Sequence, residues 1–141
     1  MVVVQLQRGL IYGPVASRRL GRSLGINLLP WDRKVCTFDC CYCQYGRTRS
    51  PGSVAGRLPS VERVVEAVET ALGEARALDA ITFSGNGEPT MHPEFPSIVS
   101  EVRGLRDRLM RSVPVVLLSN SSLCMNEEVR AAISDVDLRI M

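Results

Sequence analysis

Residues 60–90 read SVERVVEAVETALGEARALDAITFSGNGEPT, and a change of hydrophobic period inside this stretch decides the fold class. Val61, Val64, Val65, Val68, Leu72, Ala75 and Leu78 recur at helical spacing, with Pro59 and Ser60 in front as start signals. That pattern predicts an amphipathic helix. Ala80 to Ser84 is then a short apolar run rich in strand formers, ended by a glycine-rich turn from Gly85 to Pro89. It predicts a buried strand.

The same alternation continues downstream. Phe95, Ile98, Val99, Val102, Leu105 and Leu109 mark a second helix, Val113 to Leu118 a second buried strand, and Asn126 opens a shorter helix through Val129 and Ile133. Asp137 to Met141 reads as a further strand. Upstream, Ser23 to Leu29, bounded by Gly21 and Pro30, is the expected first strand. Strands alternating with helices in this way predict an α/β fold with parallel pairing through right-handed crossovers. No sequence repeat accompanies the structural one. Gln44 to Pro59, rich in Gly, Arg and Ser, is longer than most connections in a compact domain, and loops of that length often serve a site.

A chain of 141 residues, 45% apolar and with net charge +2, suits one globular domain. The apolar stretch Val113 to Leu118 is interrupted by Pro114 and is far too short to span a bilayer. Met1 to Leu10 lacks the layout of a secretory signal, so a cytoplasmic protein without membrane contact is expected. Charge is uneven: residues 1–57 hold nine Lys or Arg against two carboxylates, while residues 58–141 hold eight against thirteen. Arg18, Arg19, Arg22, Arg47, Arg49 and Arg57 form a basic front, which suits either phosphate or RNA attraction or an ordinary solvated surface.

Five cysteines are an odd number and are too crowded for a disulfide framework, because four lie between Cys36 and Cys43. Cys36, Cys40 and Cys43 are spaced Cys-x3-Cys-x2-Cys. Soft thiolates at this spacing suit an iron-sulfur cube, letting one compact loop wrap three corners and leave the fourth iron open to chelate a small molecule. Zinc held by Cys36, Cys40, Cys41 and Cys43 is the duller alternative, but no second cysteine-histidine pair stands at useful spacing. A Cys-x-x-Cys redox pair at Cys40 and Cys43 is another, less compatible with a third cysteine and a long following loop. Cys41 and Cys124 read as small buried hydrophobes or bystanders, and His92, between Met91 and Pro93, as a capping or turn residue.

The cysteine loop, with the aromatic Tyr42 just before its last cysteine, resembles that of the radical S-adenosylmethionine (SAM) superfamily. Ser84-Gly-Asn-Gly-Glu-Pro-Thr90 is similar to the glycine-glycine-glutamate motif by which that superfamily binds the methionyl amine. Residues 13–27, together with the Cys-Gln-Tyr-Gly-Arg-Thr run ending at Thr48, are similar to iron-sulfur oxidoreductases related to tRNA wyosine-synthesis enzymes.

The resemblance implies a partial parallel (β/α) barrel, truncated after about three and a half βα units, with a cluster-binding loop at 30–59 and βα units over 60–141. It implies a 4Fe-4S cluster on Cys36, Cys40 and Cys43, and S-adenosylmethionine held by Tyr42, Gly85, Asn86, Gly87, Glu88, Ser119 and Asn120. The activity implied is formation of a 5'-deoxyadenosyl radical that takes a hydrogen atom from a substrate. Implied partners are an electron donor such as a flavodoxin or ferredoxin, a tRNA substrate, and a second chain completing the barrel. Independently of the name, parallel barrels gather their sites at strand C-termini, and all three motifs follow strands. The rival from another class is a non-catalytic iron-sulfur or zinc binding module.

Overall fold

The structure is a computed structural model that describes residues 4–49, 51–54 and 57–141. Val2 and Val3 of the opening segment, and Ser50, Ala55 and Gly56 of the long loop, lie outside the described residues. Five strands form one sheet in sequence order: β1 (Ile11–Ser17), β2 (Gly21–Ile26), β3 (Ala80–Phe83), β4 (Val115–Leu118) and β5 (Leu138–Ile140). Strands β2 to β5 are parallel. Between them run helices α1 (Val61–Glu74), α2 (Phe95–Leu109) and α3 (Glu127–Asp135), giving the expected α/β alternation.

Strand β1 is a correction to the expected order, which began at the next strand. It pairs antiparallel with β2 across a bulge between Tyr12 and Val15, and covers the edge of β2 that a purely parallel arrangement leaves open. Its sequence, IYGPVAS, hid it: Gly13 and Pro14 interrupt the run, and its central residues face solvent, so no alternation marks it. The first parallel strand also ends earlier than expected, at Ile26. Asn27 takes over there, its Nδ2 donating to Leu29 O (3.1 Å) while Oδ1 accepts from Leu29 N (3.4 Å), so the chain turns out of the sheet.

Register sorts side chains by period two. Leu24, Ile81 and Val115 align across the sheet, as do Ile26, Phe83 and Leu117, and all are buried in the core beneath the helices. Val64, Val68 and Leu72 of α1 and Ile98, Val99, Val102 and Leu105 of α2 complete that core. Phe83 meets Phe95 edge to face at 5.7 Å. The opposite face carries smaller or more polar residues: Gly25, Thr82 and Val116 in one row, with Ser23 hydrogen-bonded to Thr82 (2.6 Å) beside them. These residues are buried as well, and the Tyr12 ring packs against Gly25.

Helix ends follow the local chemistry. Ser60 caps α1, its Oγ accepting from Arg63 N, and Asn126 caps α3, its Oδ1 accepting from Val129 N. Helix α1 stops at Glu74, so Ala75 is its cap and Leu78 is buried in the following turn rather than on the helix. His92 holds a clamp between elements, as its expected turn role suggested. Its Nδ1 accepts from Glu94 N (3.1 Å), which leaves Nε2–H to donate to Pro59 O (2.9 Å). Among the described residues, no helix is long and apolar enough to cross a membrane.

Candidate functional site

At the C-terminal ends of the parallel strands lies a cleft of about 680 Å³, within the size range of small-molecule sites. Three segments meet there: the cysteine loop after β2, the glycine turn after β3 and the Ser119–Asn120 turn after β4. Cys36, Cys40, Tyr42, Cys43, Gly85, Gly87, Glu88, Ser119 and Asn120 all line it. Asn86 does not.

The glycine turn is shaped by contact with the cysteine loop. Val35 forms a bridge with Gly87: Val35 N donates to Asn86 O (2.8 Å) and Glu88 N to Val35 O (3.0 Å). Gly87 has φ +144°, and a Cβ there would overlap the Val35 carbonyl. Only glycine permits both the torsion and the approach. Asn86, fully buried, closes the same junction from beneath. Its Oδ1 accepts from Gln7 N (2.7 Å), while Nδ2 donates to Gln7 O (2.8 Å) and Pro30 O (2.9 Å). Its side chain therefore ties the N-terminal segment to the turn.

Glu88 is 2% exposed, and both of its carboxylate oxygens are hydrogen-bonded within the protein. Oε1 accepts from Thr90 Oγ1 (2.6 Å), Ser119 Oγ (2.8 Å) and Thr90 N (3.2 Å), and Oε2 accepts from Asn120 N (2.7 Å). One carboxylate thus locks the β3 turn to the β4 turn. Ser119 continues the lock by accepting from Ser121 N, and Ser121 occupies the left-handed region at φ 64°.

Asn120 reaches the cysteine loop itself. Its Nδ2 donates to Thr37 Oγ1 (2.8 Å) and approaches Cys36 Sγ at 3.5 Å, while Thr37 also bonds Ser122 (2.6 Å). Further along, Asp39 accepts from Thr48 N (2.7 Å) and Arg47 (2.8 Å), and Arg47 holds the Asp39 carboxyl below its ordinary pKa. Lys34 Nζ donates to Gly46 O (2.9 Å), and Gly52 N to Cys36 O (2.9 Å). These bonds order the loop through protein contacts.

The donor set suits an iron-sulfur cube. All five cysteines are free, and the three spaced thiols share one cleft. Among the described residues, no three His, Cys, Asp or Glu side chains are grouped to hold one metal ion. A cube places each cysteine on a different iron, so its ligands stand farther apart than those of a single ion. Tyr42 is 80% exposed at the cleft mouth, and the adjacent Cys40 thiol raises its phenol pKa. Cys41 is exposed and Cys124 half-buried, so neither is a buried hydrophobe.

The match to the Radical SAM superfamily model covers residues 34–139, three quarters of the chain. The chain belongs to the radical SAM superfamily. It is also 40% identical over 129 residues to a UPF0026 protein of Methanocaldococcus jannaschii, covering 90% of this chain and 38% of that protein. A UPF0026 protein of Helicobacter pylori is 32% identical over 130 residues, 92% of this chain and 40% of its own. A Brachyspira hyodysenteriae protein named GTPase Obg is 34% identical over 130 residues, only 18% of its length. This radical SAM chain thus spans less than half of each relative. No solved structure matches it.

Sequence reasoning missed Tyr12, which lines the cleft from β1 and hydrogen-bonds Ser84. Burial raises its phenol pKa, keeping the hydroxyl protonated. Its ring lies over Gly25, where a Cβ would collide with it. The legible signal was that glycine inside an apolar strand, a mark of close approach by a neighbour.

Proposed function

We propose that this chain forms the cluster-binding part of a radical SAM active site, with Cys36, Cys40 and Cys43 holding a 4Fe-4S cluster and the cleft receiving S-adenosylmethionine. The observation that carries this reading is convergence: three spaced cysteines, a glycine turn and the Ser119–Asn120 turn open on one cleft at the strand ends. When bound, the cluster supplies an electron that cleaves S-adenosylmethionine, giving the 5'-deoxyadenosyl radical for hydrogen abstraction.

The chain's own groups bind, orient and enclose. Gly85 and Gly87 let the turn pack directly against Asn27 and the Val35 carbonyl, which sets the shape of the cleft wall, while Glu88 keeps the two adjoining turns in register. Tyr12 and Ser84 close the wall beside β1, and Tyr42 stands at the open mouth. Five free thiols favour a reducing cytoplasmic setting. An acidic flavoprotein or ferredoxin is the class of electron donor that a basic cluster loop with Arg33, Lys34, Arg47 and Arg49 would attract.

Anaerobic reconstitution tests the reading. About four irons and four sulfides per chain are expected, with an electron paramagnetic resonance spectrum that changes on adding S-adenosylmethionine. A colourless zinc protein would favour a non-catalytic metal module. An unchanged cluster after Cys36, Cys40 and Cys43 are all replaced by alanine would overturn the assignment of ligands.

A further inference from the structure

A second cavity, about 700 Å³, is lined in part by the segment that follows β2 and shares no lining residue with the cysteine cleft. Leu10 and Leu29 are buried and supply its apolar floor. Trp31, 49% exposed, stands at its wall, and Arg33, Arg57 and Arg63 line it from three different segments. Its charge is unbalanced. Asp32 lies 3.7 Å from Arg33, whereas among the described residues no carboxylate comes within 4 Å of Arg57 or Arg63.

From this juxtaposition we infer that the cavity binds a nucleotide unit, with its base against Trp31 and its phosphate toward Arg57 and Arg63. A bare anion has no use for a half-exposed indole beside buried leucines, and an apolar ligand has none for Arg57 and Arg63, which line the cavity without carboxylate partners among the described residues. A flat aromatic base carrying phosphate satisfies both. Indole faces stack on any base, and guanidinium forks match phosphate oxygens in pairs. Neither the cysteine cluster nor S-adenosylmethionine enters the argument. The unit could belong to a free nucleotide or to a single strand of RNA, which share this chemistry.

Trp31 is the chain's sole tryptophan, so its emission reports on this cavity alone. The 141-residue chain is titrated with guanosine 5'-monophosphate, a short single-stranded oligoribonucleotide and inorganic phosphate. Saturable quenching by the mononucleotide or the oligonucleotide is expected, with affinity lowered at least about tenfold in the Arg57→Ala, Arg63→Ala double variant. Tighter oligonucleotide binding that weakens steeply with salt identifies an RNA strand, and preference for the mononucleotide identifies a free nucleotide. Calorimetry on Trp31→Phe is expected to retain binding, and on Trp31→Ala to lose about tenfold. The inference is overturned if neither nucleotide saturates the signal, if inorganic phosphate saturates it at the same concentrations, or if the double arginine variant binds unchanged. Both arginines are exposed, so the double variant is expected to retain the parent's unfolding transition.

Discussion

Gly87 and Asn120 show how single residues set the site from opposite sides of the cysteine loop. Gly87→Ala introduces a Cβ into the Val35 carbonyl at a torsion that favours glycine, so the loop must move away from the turn. A stability loss of about 1–3 kcal/mol is expected in chemical denaturation, together with reduced iron loading. Asn120→Ala removes the amide that bridges Thr37 Oγ1 and Cys36 Sγ. An N–H near a ligand sulfur favours the more negative, reduced cluster, so its loss lowers the reduction potential. For one neutral hydrogen bond the expected shift is about 20–60 mV, read by redox titration of reconstituted protein. That Cys36, Cys40, Cys43, Gly85, Gly87 and Glu88 would share one cleft was legible in sequence because each motif directly follows a strand, whereas Asn86, expected beside them, turns to Gln7 and Pro30 instead. The partners of Asn86 and Glu88 were not legible, since Gln7 lies 79 positions from Asn86 and Asn120 lies 32 from Glu88.

At the scale of elements, His92 joins the entrance of α2 to the segment that leads into α1. Burial lowers its pKa below the ordinary 6.5, so the fold prefers the neutral ring. The unfolded chain then binds the proton more readily, and stability from this clamp is fully present above pH about 6.5 and lost as pH falls through the lowered folded value. Thermal unfolding is expected to show that loss on acidification in the parent and less of it in His92→Gln. Helices α1, α2 and α3 were legible because one face of each repeats at helical spacing and because Ser60 and Asn126 cap their own turns. Strand β1 was not. Its place rests on pairing with β2 and on Tyr12 crossing Gly25, neither of which leaves a periodic mark.

Across the whole molecule, β1 forms one edge of the sheet and β5 the other among the described residues. The cleft reaches that side, with Ile140 and Met141 in its lining and Met141 56% exposed. A ligand there is wetted along one flank, and incomplete enclosure weakens both binding and exclusion of water. The 141-residue polypeptide by itself is therefore expected to bind S-adenosylmethionine weakly and cleave it slowly, as measured by equilibrium binding and 5'-deoxyadenosine release. Normal cleavage by the reconstituted monomer would show that the flank needs no cover. The α/β alternation, the three parallel crossovers and the cysteine spacing follow from the order and period of residues along the chain, because each is specified within one or two neighbouring elements. Which side chains face the cleft, which lock its turns together, and that Trp31, Arg57 and Arg63 line one separate cavity were decided only on folding. Those relations join residues tens of positions apart, and local propensity carries no information about who will be whose neighbour.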